Sequence, residues 1–204
     1  YAPLETTMGI VQKVFYVHVP SAIAMYAGFV LCAAASFSYL LKPNRVVDAA
    51  ASASAEVGMV FGVFVMISGP MWAYKAWGKP WVWDAQLTAS LILFLLFGSY
   101  VLLRRFGADS ASVRKISAVL AIIAAMDIPV IRYAIKNWQG MHPSGTVTRG
   151  EGRGLAEAAM QHTFGVAMLS FMLLFIVMFW VHFRQRVLAW NIDRLHRDLS
   201  RKPA

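Results

Sequence analysis

The chain has 204 residues, 59% of them apolar and only 14% charged, with a formal net charge of +9 and a mean hydropathy of +0.57. That composition excludes an ordinary soluble domain and points to an integral membrane protein. With Cys32 as its one cysteine and no C-x-x-C-H run, the chain holds no internal disulfide or dithiol centre and is not itself a c-type cytochrome.

The opening residues lack the basic, apolar and small-residue succession of a secretory signal, and the chain starts with Tyr1, so the expectation is either a further N-terminal piece ahead of it or a domain excised from a longer chain. Five stretches then reach the length of about 20 mostly apolar residues that a membrane-crossing helix needs; they run roughly 19–41, 48–71, 85–103, 115–135 and 160–183. All are predicted as helices, because a strand facing lipid leaves its backbone groups unbonded. The expected architecture is an all-α, polytopic helical bundle forming a single domain over 1–204.

Taken in order, Pro20 suits the opening turn of the first span. It predicts an extended pre-proline segment holding His18 at the membrane edge. The second span carries Glu56, and its Gly58 and Gly62 have the small-x-x-x-small spacing of close helix packing. Between the second and third spans lies Trp77-Gly78-Lys79-Pro80-Trp81-Val82-Trp83-Asp84-Ala85-Gln86-Leu87-Thr88, in which Asp84 reads as the N-cap of the third helix. The fourth span contains Asp127 and Arg132, a candidate ion pair or relay inside the bilayer. His142 follows it in Trp138-Gln139-Gly140-Met141-His142-Pro143, then a glycine-bearing loop over 145–157, and His162 opens the last span.

Alternation of five spans puts residues 1–18, 72–84 and 136–159 on one side of the membrane and 42–47, 104–114 and the tail from 184 on the other. The second side, counting Lys115 at its edge, holds 12 of the 19 basic residues; the remaining seven are Lys13, Lys75, Lys79, Arg132, Lys136, Arg149 and Arg153. By the positive-inside rule the richer side is cytoplasmic. The positive charge is therefore a topology signal rather than a nucleic-acid footprint. The Trp-rich loop, His18 and His142 fall together on the outer side, and Glu56 is expected to pair with Arg or Lys near the cytoplasmic edge.

Two readings of that outer face remain open from the residues alone. Tryptophans at a bilayer edge commonly form an interfacial belt, and a histidine there is commonly just a polar interfacial residue. Alternatively, two imidazoles from different helix ends ligate both faces of a haem iron while the tryptophans pack on the macrocycle. A zinc site calls for three or four closely spaced ligands, which this sequence lacks.

The W-G-x-x-W-x-W-D-x-x-L-T run from Trp77 to Thr88 resembles the tryptophan-rich, or WWD, signature of haem-handling proteins in cytochrome c biogenesis. With Val17-His18-Val19-Pro20-Ser21-Ala22 and the later His142, nearly the whole chain is similar to the haem exporter protein C family of the cytochrome c maturation system. The resemblance implies six helices, the first expected ahead of Tyr1, in the bacterial inner membrane. It implies haem b at a periplasmic site, His18 and His142 as axial metal ligands, and Trp77, Gly78, Trp81, Trp83 and Asp84 as the cup. It further implies delivery to a periplasmic haem chaperone beside the subunits of an ATP-binding-cassette (ABC-type) haem exporter. Gln86 departs from the signature, where an Arg is common, and His162 is an additional outer histidine that competes with His142 as the second ligand. A fragment of a larger cytochrome c haem lyase is the alternative, and it would make the protein an enzyme. A b-type electron-transfer protein would instead need histidines paired within the spans.

Overall fold

The computed structural model describes residues 1–5, 8–138, 142 and 157–200. The glycine-bearing loop expected at 145–157 lies outside them except for Glu157, as do Arg149, Arg153, Arg201 and Lys202. A 3-10 turn, Ile10–Val14, runs into α1 (Phe15–Leu41), followed by α2 (Arg45–Trp77), α3 (Ala85–Phe106), α4 (Ala111–Ala125), α5 (Asp127–Asn137) and α6 (Ala158–Ser200). With α4 and α5 taken as one segment, five helices among the described residues are long and apolar enough to cross a membrane. The protein is a multi-pass helical membrane protein.

Each boundary has a local cause. Asn44 accepts from the Val46 amide to start α2 and Ser110 from Val113 to start α4, satisfying amides that have no partner within the helix. Gly78 ends α2 with φ +71°, a left-handed conformation that glycine adopts at little cost, and its amide bonds the Tyr74 carbonyl at 3.0 Å. Asp84 caps α3 by accepting from the Leu87 amide at 2.7 Å, as its position ahead of the apolar run predicts.

Three expectations about the helices need correction. The first helix begins at Phe15, ahead of Pro20, so His18 sits on helical backbone instead of an extended pre-proline segment. The cause is packing: Phe15 and Tyr16 are buried with Met160 of α6, and the Phe15 and Phe164 rings lie 5.5 Å apart. Pro20 then forfeits a single helical bond, the one to the Tyr16 carbonyl. The fourth span is not continuous but breaks at Met126. Pro129, with no amide hydrogen, is accommodated in the first turn of a new helix, where amides lack helical partners anyway. Finally, α6 does not stop near 183 but continues to Ser200. Leu188, Ile192, Leu195 and Leu199 lie four, three and four residues apart, keeping an apolar stripe on one face of an otherwise charged extension.

The core forms where α1 lies along α2. A Cβ on Gly28 would come within 2.7 Å of the Ser54 carbonyl oxygen and 2.8 Å of the Gly58 Cα. The two backbones therefore touch, as the small-residue spacing of the second span predicts. Phe29 stacks on Phe97 of α3 at 3.9 Å between centroids, and Met25, Phe61, Leu93 and Tyr100 complete the buried layer.

One end of the bundle is laced with ion pairs. Arg104 of α3 meets Asp48 of α2 at 2.7 Å, both side chains nearly buried, and donates to Ser52 at 3.1 Å. Asp109 joins Arg45 at 2.8 Å and also Arg114, whose Nε donates to the Tyr39 hydroxyl. Glu56 pairs with Arg186 and with His182 at 3.2 Å, which is the partner type its place near the basic edge predicts.

Candidate functional site

The opposite end of the bundle gathers the N-terminus of α1, the C-terminus of α2, the start of α3, the end of α5 and the start of α6. His18 is half-buried on α1, with its Nδ1 3.0 Å from Ser68 Oγ of α2. The ring rests against Gly69, where a Cβ would lie 3.2 Å from Cε1 and 3.8 Å from Nδ1. His142, beyond the end of α5, is likewise half-buried and lies within electrostatic range of His18. The fold thus brings together two histidines more than a hundred positions apart in the chain.

The other outer histidine is elsewhere occupied. His162 is exposed on α6, and its Nδ1 is 3.4 Å from the Tyr1 hydroxyl. His182 belongs to the Glu56 cluster at the basic end. Among the described residues no group of three or more His, Cys, Asp or Glu side chains is arranged to hold a metal.

The tryptophans divide into two pairs. Trp77 is the last residue of α2, not a loop residue, and stands edge-on to Trp72 at 5.8 Å and 90°. Trp81 and Trp83, in the true loop between α2 and α3, form a second edge-to-face pair at 5.8 Å and 75°. Trp83 is 75% exposed. Trp72 was not evident from the signature, since it precedes it; its Nε1 is 3.5 Å from Gln12 Oε1 of the 3-10 turn, tying the chain's start to the end of α2. A tryptophan five residues ahead of the signature is the one sequence sign of the Trp72–Trp77 pair.

Polar satisfaction also differs between the two ends. Among the described residues, the buried atoms Tyr16 Oη, Ser21 Oγ, Trp81 Nε1, Gln86 Oε1 and Asp127 Oδ2 have no hydrogen-bond partner, and all belong to the tryptophan half. At the basic end only Arg186 Nε is in that position. No Asp127–Arg132 ion pair forms among the described residues, so the expected pairing of those two is not realised. A buried polar group without a partner costs about 1–3 kcal/mol, and several in one region mark a functional site more than a packing error.

Residues 1–198 match the family described as heme exporter protein C. The chain belongs to that family. The heme exporter protein C of Bradyrhizobium diazoefficiens is 30% identical over 95% of this chain and 73% of that protein. That of Rhodobacter capsulatus is 29% identical over 97% and 81%, and that of Escherichia coli strain K12 is 30% identical over 72% and 60%. Membership in the haem exporter protein C family covers His18, the whole tryptophan signature and His142 alike, so every candidate residue of the outer end lies in the matched region.

Proposed function

We propose that this protein binds haem b as cargo at the periplasmic face of the bacterial inner membrane and delivers it to a periplasmic haem chaperone, beside an ABC-type exporter, during c-type cytochrome biogenesis. It is a binding and delivery protein in this reading. His18 and His142 are the axial ligands, and Trp77, Gly78, Trp81, Trp83 and Asp84 form the surrounding wall.

The observation that carries the reading is the convergence of His18 and His142 at the tryptophan end of the bundle. A pair of imidazoles suits the two axial positions of haem iron and falls short of a tetrahedral zinc set. The remaining surroundings fit the rest of the molecule. Trp83 offers a broad exposed ring face, and the buried Trp81 Nε1 is a donor with no partner among the described residues, suited to a propionate oxygen. Gly78 and Asp84 contribute by setting the loop: Gly78 stops α2 through its left-handed backbone, the Asp84 carboxylate caps α3, and together they fix the length of the loop that carries both rings. The family name supports haem as the ligand.

Two measurements test the reading. A reporter active only in the periplasm is expected to work when fused after Lys79 and to be silent after Gly107, following the uneven distribution of basic residues; the reverse would put the tryptophan end in the cytoplasm and sink the site assignment. Haem-loaded protein in liposomes, mixed with the soluble domain of a haem chaperone, is expected to lose its Soret absorbance to the soluble fraction. Covalent attachment of haem to an apocytochrome c by this protein alone would instead make it a lyase.

A further inference from the structure

We infer that Ser68 is the positioning residue for His18, fixing by one hydrogen bond the imidazole tautomer whose bare nitrogen, Nε2, faces the ligand. The inference rests on the reading of His18 as an axial ligand and adds a residue outside the tryptophan signature.

The argument follows a single proton. The Ser68 hydroxyl has one hydrogen to give, and it donates it to the Phe64 carbonyl one turn back along α2. Its oxygen can then only accept from His18, whose Nδ1 stands 3.0 Å away, the usual length of an N–H···O bond. Nδ1 therefore carries the ring proton. A neutral imidazole has only one, so Nε2 holds the free lone pair, the state required of a metal ligand. A chain of donors runs from the ring through Oγ into the helix backbone.

Gly69 gives the ring its seat. The Nδ1 and Cε1 corner lies against α2 with so little room that a Cβ on residue 69 would be 3.2 Å from Cε1. With that edge against the helix, Nε2 is left on the side away from the Ser68 bond. A hydrogen bond from the distal N–H of a ligating histidine sets its tautomer, its orientation and its basicity. Ser68 and Gly69 are adjacent on one turn of α2 and act on the same ring, so their spacing supplies both controls.

The test begins without haem. In ¹⁵N-histidine-labelled apoprotein, the His18 signal, assigned by its loss in His18→Ala, is expected to report Nδ1 protonated and Nε2 bare. In Ser68→Ala it is expected to shift toward the Nε2-protonated form that free histidine prefers in water. Haem affinity should fall about 10- to 100-fold, the usual effect of removing an outer-shell partner, and the reduction potential should rise as the ligand becomes less basic. Ser68→Thr should restore all three, because its Oγ1 makes the same bond to the carbonyl four residues back. Nε2-protonated His18 in the unmutated protein, or a Ser68→Ala variant with unchanged affinity and potential, overturns the role of Ser68 while leaving the ligand assignment standing. Unchanged haem binding in His18→Ala removes the ligand assignment itself, and the inference with it.

Discussion

Changing both His18 and His142 to alanine is expected to leave almost no bound haem, whereas either single change leaves a weakened complex with an altered Soret spectrum. The two rings are brought within electrostatic range of one another by elements that the chain reaches far apart, so neither local strand of sequence makes the site alone. Disturbing a mere outer-shell partner of a ligand already costs about 10- to 100-fold in affinity, and losing a ligand is expected to cost at least that. A single variant keeps one axial bond, changes the iron spin state and leaves an open coordination position. Free imidazole should fill that position and return part of the original spectrum. The double variant has only apolar contacts left for the macrocycle, and imidazole should restore little. His162 provides the internal check: it faces Tyr1 at 3.4 Å, so His162→Ala is expected to keep the native spectrum. A native spectrum in His142→Ala with its loss in His162→Ala would reassign the second ligand.

The legible parts of the fold are those written in local chemistry. Asp84 reads as a cap because an Asp before an apolar run has an amide to accept from three residues on, and it does so. The pairing of Glu56 follows from the cost of an isolated carboxylate in a bilayer together with nearby arginines on the basic side. Gly58 reveals a helix contact by its spacing, although its partner Gly28 has no mark in the sequence. What stays hidden depends on contacts between distant segments. Pro20 looks like a helix opener, but burial of Phe15 and Tyr16 against α6 holds the helix from an earlier point. Ser68 looks like any serine in a small-residue helix, since nothing near it in the chain shows that His18, fifty positions earlier, will bond to it. Asp127 and Arg132 read as a candidate pair because both are charges within one span, yet they sit five apart on one helix, off the three- or four-residue spacing that brings side chains together.

The two ends of the bundle consequently differ in kind. At the basic end Asp48, Glu56 and Asp109 are each matched by arginine, which locks α2, α3, α4 and α6 to one another. At the tryptophan end the buried polar atoms of Tyr16, Ser21, Trp81 and Gln86 have no partner among the described residues. A ligand that carries oxygen acceptors and apolar area has most to gain there. Gln86 is buried at this end and adds an uncharged amide able to hydrogen-bond.

The second large effect is expected from the loop tryptophans, and the structure ranks them. Trp83 is 75% exposed and Trp81 stands edge-on to it, so covering this pair removes more apolar area from water than covering Trp77, already packed on Trp72. Burying a large apolar side chain contributes about 1.5–3 kcal/mol, so Trp83→Ala is expected to weaken haem binding by roughly 10- to 150-fold. Trp81→Ala should lose the indole donor as well as ring area. Trp77→Ala should have a smaller effect on haem and a larger one on thermal stability, since its edge-to-face contact with Trp72 contributes about 0.5–1.5 kcal/mol. Membrane insertion should survive even in the triple variant, because α2 ends on the Gly78 amide bond to Tyr74 and α3 begins on the Asp84 carboxylate cap, neither of which needs an indole. Haem titration and chaperone loading, followed in the same detergent preparation, separate these effects. Full haem content in the triple variant would reduce the three rings to an interfacial belt and leave the histidines to hold the ligand alone.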